Sequence, residues 1–283
     1  MSVEKNLYAV IDNKEIFAFV IENKNGNKAQ IIEKGATLEK LFIKDKNGDF
    51  IDVLVGHDNL DGHINRSDYQ GVIVGQYANR IKGGKFTIDG IEYNVTCNEK
   101  DITCLHGGGE YSSAFWQGEK ASENSVKFSY FSPDGKEGFP GNVKVEVTYT
   151  LSNNDELSID YYAVSDKKTV INLTNHAYFN LNGFDSGDIL NHSLKINADR
   201  FTAIDTTSIP TGELIPVKGT PFDFTAGKKI GDDIEADYQY CLEQGYTFEE
   251  EGIQSLPTVW ERGVKYFKIM SPSGEPVEFC QIL

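Results

Sequence analysis

The stretch VKVEVTYTLSNNDELSIDYYAV, residues 143–164, decides the fold class. Val143, Val145, Val147, Tyr149 and Leu151 recur at every second position and share one face of an extended segment. Leu157, Ile159, Tyr161 and Ala163 do the same in a second segment. Ser152-Asn153-Asn154-Asp155 lies between them and is made of turn residues, so the spacing predicts an antiparallel hairpin.

The same grammar extends outward. In KFTIDGIEYNV, residues 85–95, Phe86 and Ile88 are set against Ile91, Tyr93 and Val95 across Asp89-Gly90. Asn25-Gly26, Asn47-Gly48, Asp134-Gly135 and Asn182-Gly183 also permit the positive φ angles of tight turns. Helical periodicity is nearly absent before residue 227. These features predict a mainly β chain whose residues 1–230 form one large antiparallel β domain. From Lys228 the pattern changes: Ile230, Ile234, Tyr238, Cys241 and Leu242 fall at three- and four-residue intervals, with acids opposite and Gly245 at the end. This predicts an amphipathic helix. Short strands follow in YTFEE, VKYFKIM and VEFCQIL, the last two separated by Ser271-Pro272-Ser273-Gly274. Residues 231–283 are therefore expected to form a short α+β tail.

Composition narrows the function classes. Lys plus Arg total 27 against 43 Asp plus Glu, a net charge of −16 that repels phosphate backbones and anionic lipid surfaces. Neither a nucleic-acid nor a membrane partner is expected. The 39% hydrophobic and 12% aromatic content is that of a globular chain. MSVEKNLYAVIDNKEIFAF has no basic region ahead of an apolar core, which points to a cytoplasmic protein. Cys97, Cys104, Cys241 and Cys280 show no metal-ligand spacing and read as reduced thiols, with no metal site.

Three segments concentrate polar chemistry: VGQYANRIKGGKF at 74–86, TCLHGGGE at 103–110 and LTNHAYFNL at 173–181. Each residue has a plain structural reading. Arg80 alone is a solvated arginine, Gly107 to Gly109 lack phosphate-loop spacing, and His176 among Asn172, Thr174, Asn175 and Asn180 fits a buried hydrogen-bond network as well as a site. His57, His63 and His192 read as surface. The coincidence of types is more informative. Two imidazoles, a guanidinium, amides and the rings of Tyr77, Phe115, Trp116, Tyr178 and Phe179 suit a sugar, whose hydroxyls need planar hydrogen-bonding groups and whose C–H face needs flat rings.

GQYANRIKGGKFTIDGIEY, the LHGG element, NLTNHAYFNL and LKINADRFTAIDTTSIPTGELIPVKGTPFDF, in that order, resemble the aldose 1-epimerase (galactose mutarotase) family over about residues 10–235. The resemblance implies a galactose mutarotase-like β-sandwich and an isomerase that interconverts the α and β anomers of aldohexoses such as galactose and glucose. It implies no cofactor and no metal. It assigns His176 as the catalytic acid, and His106, Arg80 and Asn79 as substrate-binding residues. Two carboxylates of the family pattern have no match: Thr247 stands in Gly245-Tyr246-Thr247-Phe248 where the family has aspartate, and the glutamate base of the C-terminal segment is not found. On that count the sandwich is incomplete at its end, and the alternative is a sugar-binding or catalytically impaired relative. Glu243, Glu250 and Glu278 are the remaining acids considered for the cleft. Residues 231–283 are also similar to half a glyoxalase or vicinal-oxygen-chelate module, in which Glu278 stands at a metal-binding position but reads as an ordinary strand glutamate without the other ligands. Sheet edges exposed in such a tail favour self-association.

Overall fold

The computed structural model describes residues 1–57, 59–65, 69–205, 207–233, 247–248, 254–256, 264–270 and 276–282, the last four segments as backbone. The chain divides into two compact units, Met1–Asp185 and Ser186–Leu283.

In the first unit the strands Ser2–Ile11, Lys14–Glu22, Lys28–Ile32, Thr37–Lys44 and Phe50–Asp52 pair antiparallel in chain order. A second sheet runs Gln117–Ser122, Ser125–Ser132, Val143–Leu151 and Leu157–Ser165, again in chain order. The inner faces of both sheets supply one core, in which Phe19, Ile21, Ile31 and Leu38 pack with Val126, Phe128, Val145 and Val147. Phe19 meets Phe128 edge to face with ring centroids 5.5 Å apart. Each such side chain stabilises the sandwich by about 1.5–3 kcal/mol through burial, and truncating Phe128 to alanine would cost about 3–5 kcal/mol.

The deciding hairpin folds as its period requires. Val143, Val145, Val147, Tyr149 and Leu151 are all buried, and Val145, Val147, Tyr149 and Leu151 stand opposite Ala163, Tyr161, Ile159 and Leu157. Its turn is held from outside: Asp155 accepts hydrogen bonds from the amides of Asn23, Asn25 and Asn27, tying the hairpin to the turn of the second and third strands. The 85–95 hairpin pairs Ile88 with Ile91 around Asp89 and Gly90, both at positive φ. A short helix, Leu60–Asn65, was not signalled by periodicity.

In the second unit Arg200–Ile204 pairs with Pro210–Pro216. Thr247–Phe248 and Pro276–Ile282 pair antiparallel with Val264–Met270, where the short strands are expected, and Gln254–Leu256, which was not expected, pairs with the same strand. The expected helix begins differently. Lys228–Lys229 is a strand paired with Ser193–Leu194, and Ile230–Asp233 is a 3-10 turn. The N–H groups of Ile230 and Gly231 donate to the carbonyls of His192 and Leu190, which removes them from any helical ladder. The rest of the expected helix, Ile234 to Gly245, lies outside the described residues, as do Glu243 and Glu250. Among the described residues no helix is long and apolar enough to cross a membrane.

Candidate active site

Three short pairings bring the polar segments together. Thr174–Asn175 pairs with Ile73–Val74, Tyr178–Phe179 with Leu54–Val55, and Arg80–Ile81 with Cys104–Leu105. The last sets Arg80 opposite Leu105, one residue before His106.

The amides around His176 are structural. The Asn175 side chain donates to the Gly71 carbonyl at 2.8 Å and to the Tyr149 hydroxyl at 3.3 Å, and its own oxygen accepts from Ala177 N–H. Tyr149 is fully buried and donates to the Ala36 carbonyl at 2.7 Å. The His176 N–H donates to the Val72 carbonyl, and its carbonyl accepts from Gly71 N–H. Asn172 bonds through its backbone to Gln76 and Ala78, and Asn180 N–H donates to Val53. The imidazole itself is half-buried and projects from a backbone held by these bonds.

His106 sits opposite. Its N–H donates to the Asn79 carbonyl, and Asn79 N–H donates back to Nδ1, each at 3.0 Å. That acceptor role puts the proton of the neutral ring on Nε2. Burial, reinforced by His176 and Arg80, lowers the His106 pKa from 6.5 to about 4, against an opposing pull from Glu99. The following glycine explains the Leu-His-Gly-Gly spacing. Gly107 has φ 64°, and a Cβ there would lie 2.2 Å from the Gln76 nitrogen and 2.3 Å from the Gly75 carbonyl oxygen. Only glycine lets the histidine turn pack this closely on the Gly75-Gln76 peptide.

The rings form one cluster. His106 and His176 meet at right angles with centroids 5.1 Å apart, and Tyr69 lies 4.7 Å from His106 and 5.8 Å from His176. Tyr178 lies 5.2 Å from His176. Arg80 donates through Nε and Nη2 to both oxygens of Glu99, at 2.7 and 2.6 Å, and through Nη1 to the Asn79 side-chain oxygen at 3.2 Å. Asn98 accepts from Leu105 N–H at 2.8 Å and bonds the Tyr69 hydroxyl, whose pKa is raised first by burial and then by Glu99.

All four sequence-predicted residues, His176, His106, Arg80 and Asn79, therefore belong to one group. Tyr69, Asn98 and Glu99 were missed. The available signal for the last two was a polar pair just ahead of the tight turn that leads into the histidine strand. Two expectations fail. Trp116 is a core residue, with its indole N–H on the Tyr111 carbonyl, and offers no face to a sugar. His63 is buried, not exposed, with Nε2 3.3 Å from the fully buried Glu39 carboxylate and its ring 5.0 Å from that of His57. A carboxylate with no solvent needs hydrogen-bond donors, and Gln30 and Tyr8 complete the set. His192 is partly exposed, as expected. Cys97 and Cys104 are free thiols, and no group of metal-ligating side chains occurs among the described residues.

The family model for aldose 1-epimerase matches residues 18–268. Galactose mutarotase of Rattus norvegicus is 42% identical over 221 residues, 76% of this chain and 64% of its own length. Aldose 1-epimerase of Haemophilus influenzae is 36% identical over 248 residues, 87% of this chain and 72% of its own. The chain thus spans just under two thirds of the mammalian relative it matches. Among solved structures, galactose 1-epimerase from Lactobacillus acidophilus superposes with a TM-score of 0.76 at 26% identity, covering 99% of this chain and 77% of that one. An aldose epimerase homologue from C. elegans superposes with a TM-score of 0.70 at 30% identity, covering 96% and 77%.

Proposed function

Because this chain belongs to the aldose 1-epimerase family, we propose that it interconverts the α and β anomers of aldohexoses such as galactose and glucose by acid/base ring opening. The observation that carries the reading is the convergence of His106, His176 and Arg80, from three separate segments, on one cluster. Opening the ring needs a proton delivered to the ring oxygen as its bond to C1 breaks, and a proton withdrawn from the C1 hydroxyl. His176 delivers the first. His106 does not compete as the acid, because with a pKa near 4 its ring is neutral at pH 7 and serves as an Nε2–H donor to sugar oxygens. Arg80 and Asn79 hold hydroxyls. The carboxylate within this cluster, Glu99, has both oxygens engaged by Arg80, which suits it poorly to accept the C1 hydroxyl proton.

Polarimetry on freshly dissolved α-galactose and α-glucose tests the reading. The wild-type protein should speed the approach to anomeric equilibrium, and His176→Ala should lose about 10²–10⁴-fold, the usual contribution of a positioned acid, with an unchanged circular dichroism spectrum. A wild-type rate equal to that of buffer overturns the activity. A fully active His176→Ala removes His176 as the acid.

A further inference from the structure

We propose that Glu99 makes the sugar site select neutral aldoses over sugars that carry a carboxylate or phosphate, by occupying the face of Arg80 that would otherwise grasp the anion. The inference rests on the proposed sugar-binding role of this cluster. An arginine recognises carboxylate and phosphate through a two-pronged edge, and the Nε/Nη2 edge of Arg80 is already closed by both oxygens of Glu99. The three bonds to Glu99 and Asn79 use three of the five guanidinium N–H groups, leaving one on each terminal nitrogen. Hydroxyls need only such N–H donors, whereas an anion also needs an uncompensated positive charge, and that of Arg80 is already matched by Glu99.

The pair is built in. Glu99 heads a tight turn in which its N–H donates to the Thr103 carbonyl and its own carbonyl accepts from Ile102 and Thr103, with Lys100 and Asp101 at positive φ. The turn feeds directly into Cys104–Leu105, whose register sets Leu105 opposite Arg80. The two side chains are only 23% and 21% exposed, so salt screens the pair less than it would a surface bridge. The neighbouring charges also cancel: Glu137, against Gly108, is paired with Lys136 at 2.9 Å, and His106 is neutral. An anionic sugar would therefore meet a neutralised arginine on a chain of net charge −16.

Equilibrium binding of galactose and of galacturonate, measured on the full chain by titration calorimetry together with galactose polarimetry, separates this inference from the activity it rests on. The wild type should prefer galactose, and Glu99→Gln should shift the galacturonate-to-galactose affinity ratio toward galacturonate by about tenfold, a gain that shrinks at high ionic strength. Glu99→Asp keeps the charge and should retain the wild-type preference. An unchanged ratio in Glu99→Gln, or a wild type that binds both sugars equally, overturns the proposal, and the second result decides it even if Glu99→Gln does not fold. Fast mutarotation with an unchanged ratio would leave the epimerase reading standing alone. A shifted ratio without mutarotation would leave only charge selection.

Discussion

His106 and His176 meet edge to face at 5.1 Å, and each ring is placed by main-chain bonds to the 71–80 segment: His176 to Gly71 and Val72, His106 to Asn79. One stretch of backbone thus aligns both imidazoles. Their separation depends on that stretch and on the turn that packs against it.

The depressed His106 pKa makes acid stability sensitive to this ring. A histidine that is harder to protonate in the folded state than its ordinary 6.5 leaves stability untouched above that pH. Stability is then lost as pH falls from 6.5 to about 4, because the unfolded chain binds the proton first. Urea denaturation of wild type and His106→Gln should show the wild type losing more stability over that window. Parallel pH profiles would contradict the assignment.

Tyr69 covers the same ring. Removing it with Tyr69→Ala should let water reach His106 and raise its pKa from about 4 toward 6.5, read by NMR titration of the imidazole protons. Tyr69→Phe keeps the ring and should leave the value low. It also deletes the hydroxyl bonded by Asn98.

Gly107→Ala should destabilise the protein by about 2–4 kcal/mol in urea titrations, because the added Cβ meets main-chain atoms that cannot move aside. Gly83→Ala is the matched control. Its φ is 62° but nothing lies within 4 Å of the new Cβ, so only the backbone cost of about 1–2 kcal/mol remains. Equal losses would mean that the close approach to the Gly75-Gln76 peptide carries no weight.

Asn175→Ala removes the amide that bridges Gly71 and Tyr149 under His176. Stability should fall by about 1–3 kcal/mol, the cost of leaving buried partners unmet. Galactose mutarotation should drop in the same variant through misplacement of His176. Stability loss with full activity would confine Asn175 to a purely structural role.

Much of the architecture was legible in residues 143–164 because strand alternation is local: every second side chain faces the same way whatever its partner. That His176, His106, Arg80 and Asn79 belong together was legible too, through motif resemblance. Their neighbours were not. Whether His176 sat in a site or in an amide network was open from sequence; in the structure Asn172, Asn175 and Asn180 bond to backbone, while the ring packs beside His106 and Tyr69.

What the sequence by itself determined was the strand period, the turn positions and the residue types able to handle a sugar. Only the tertiary structure decided that Glu99 closes on Arg80, that Tyr69 enters the cluster, that Trp116 is core, that His63 pairs with a buried Glu39, and that Lys228–Lys229 is a strand where a helix was expected. The physical reason is common to all five. Each depends on a pairing between residues distant in the chain, where burial and hydrogen-bond satisfaction outweigh local propensity, and no local pattern encodes which distant group arrives.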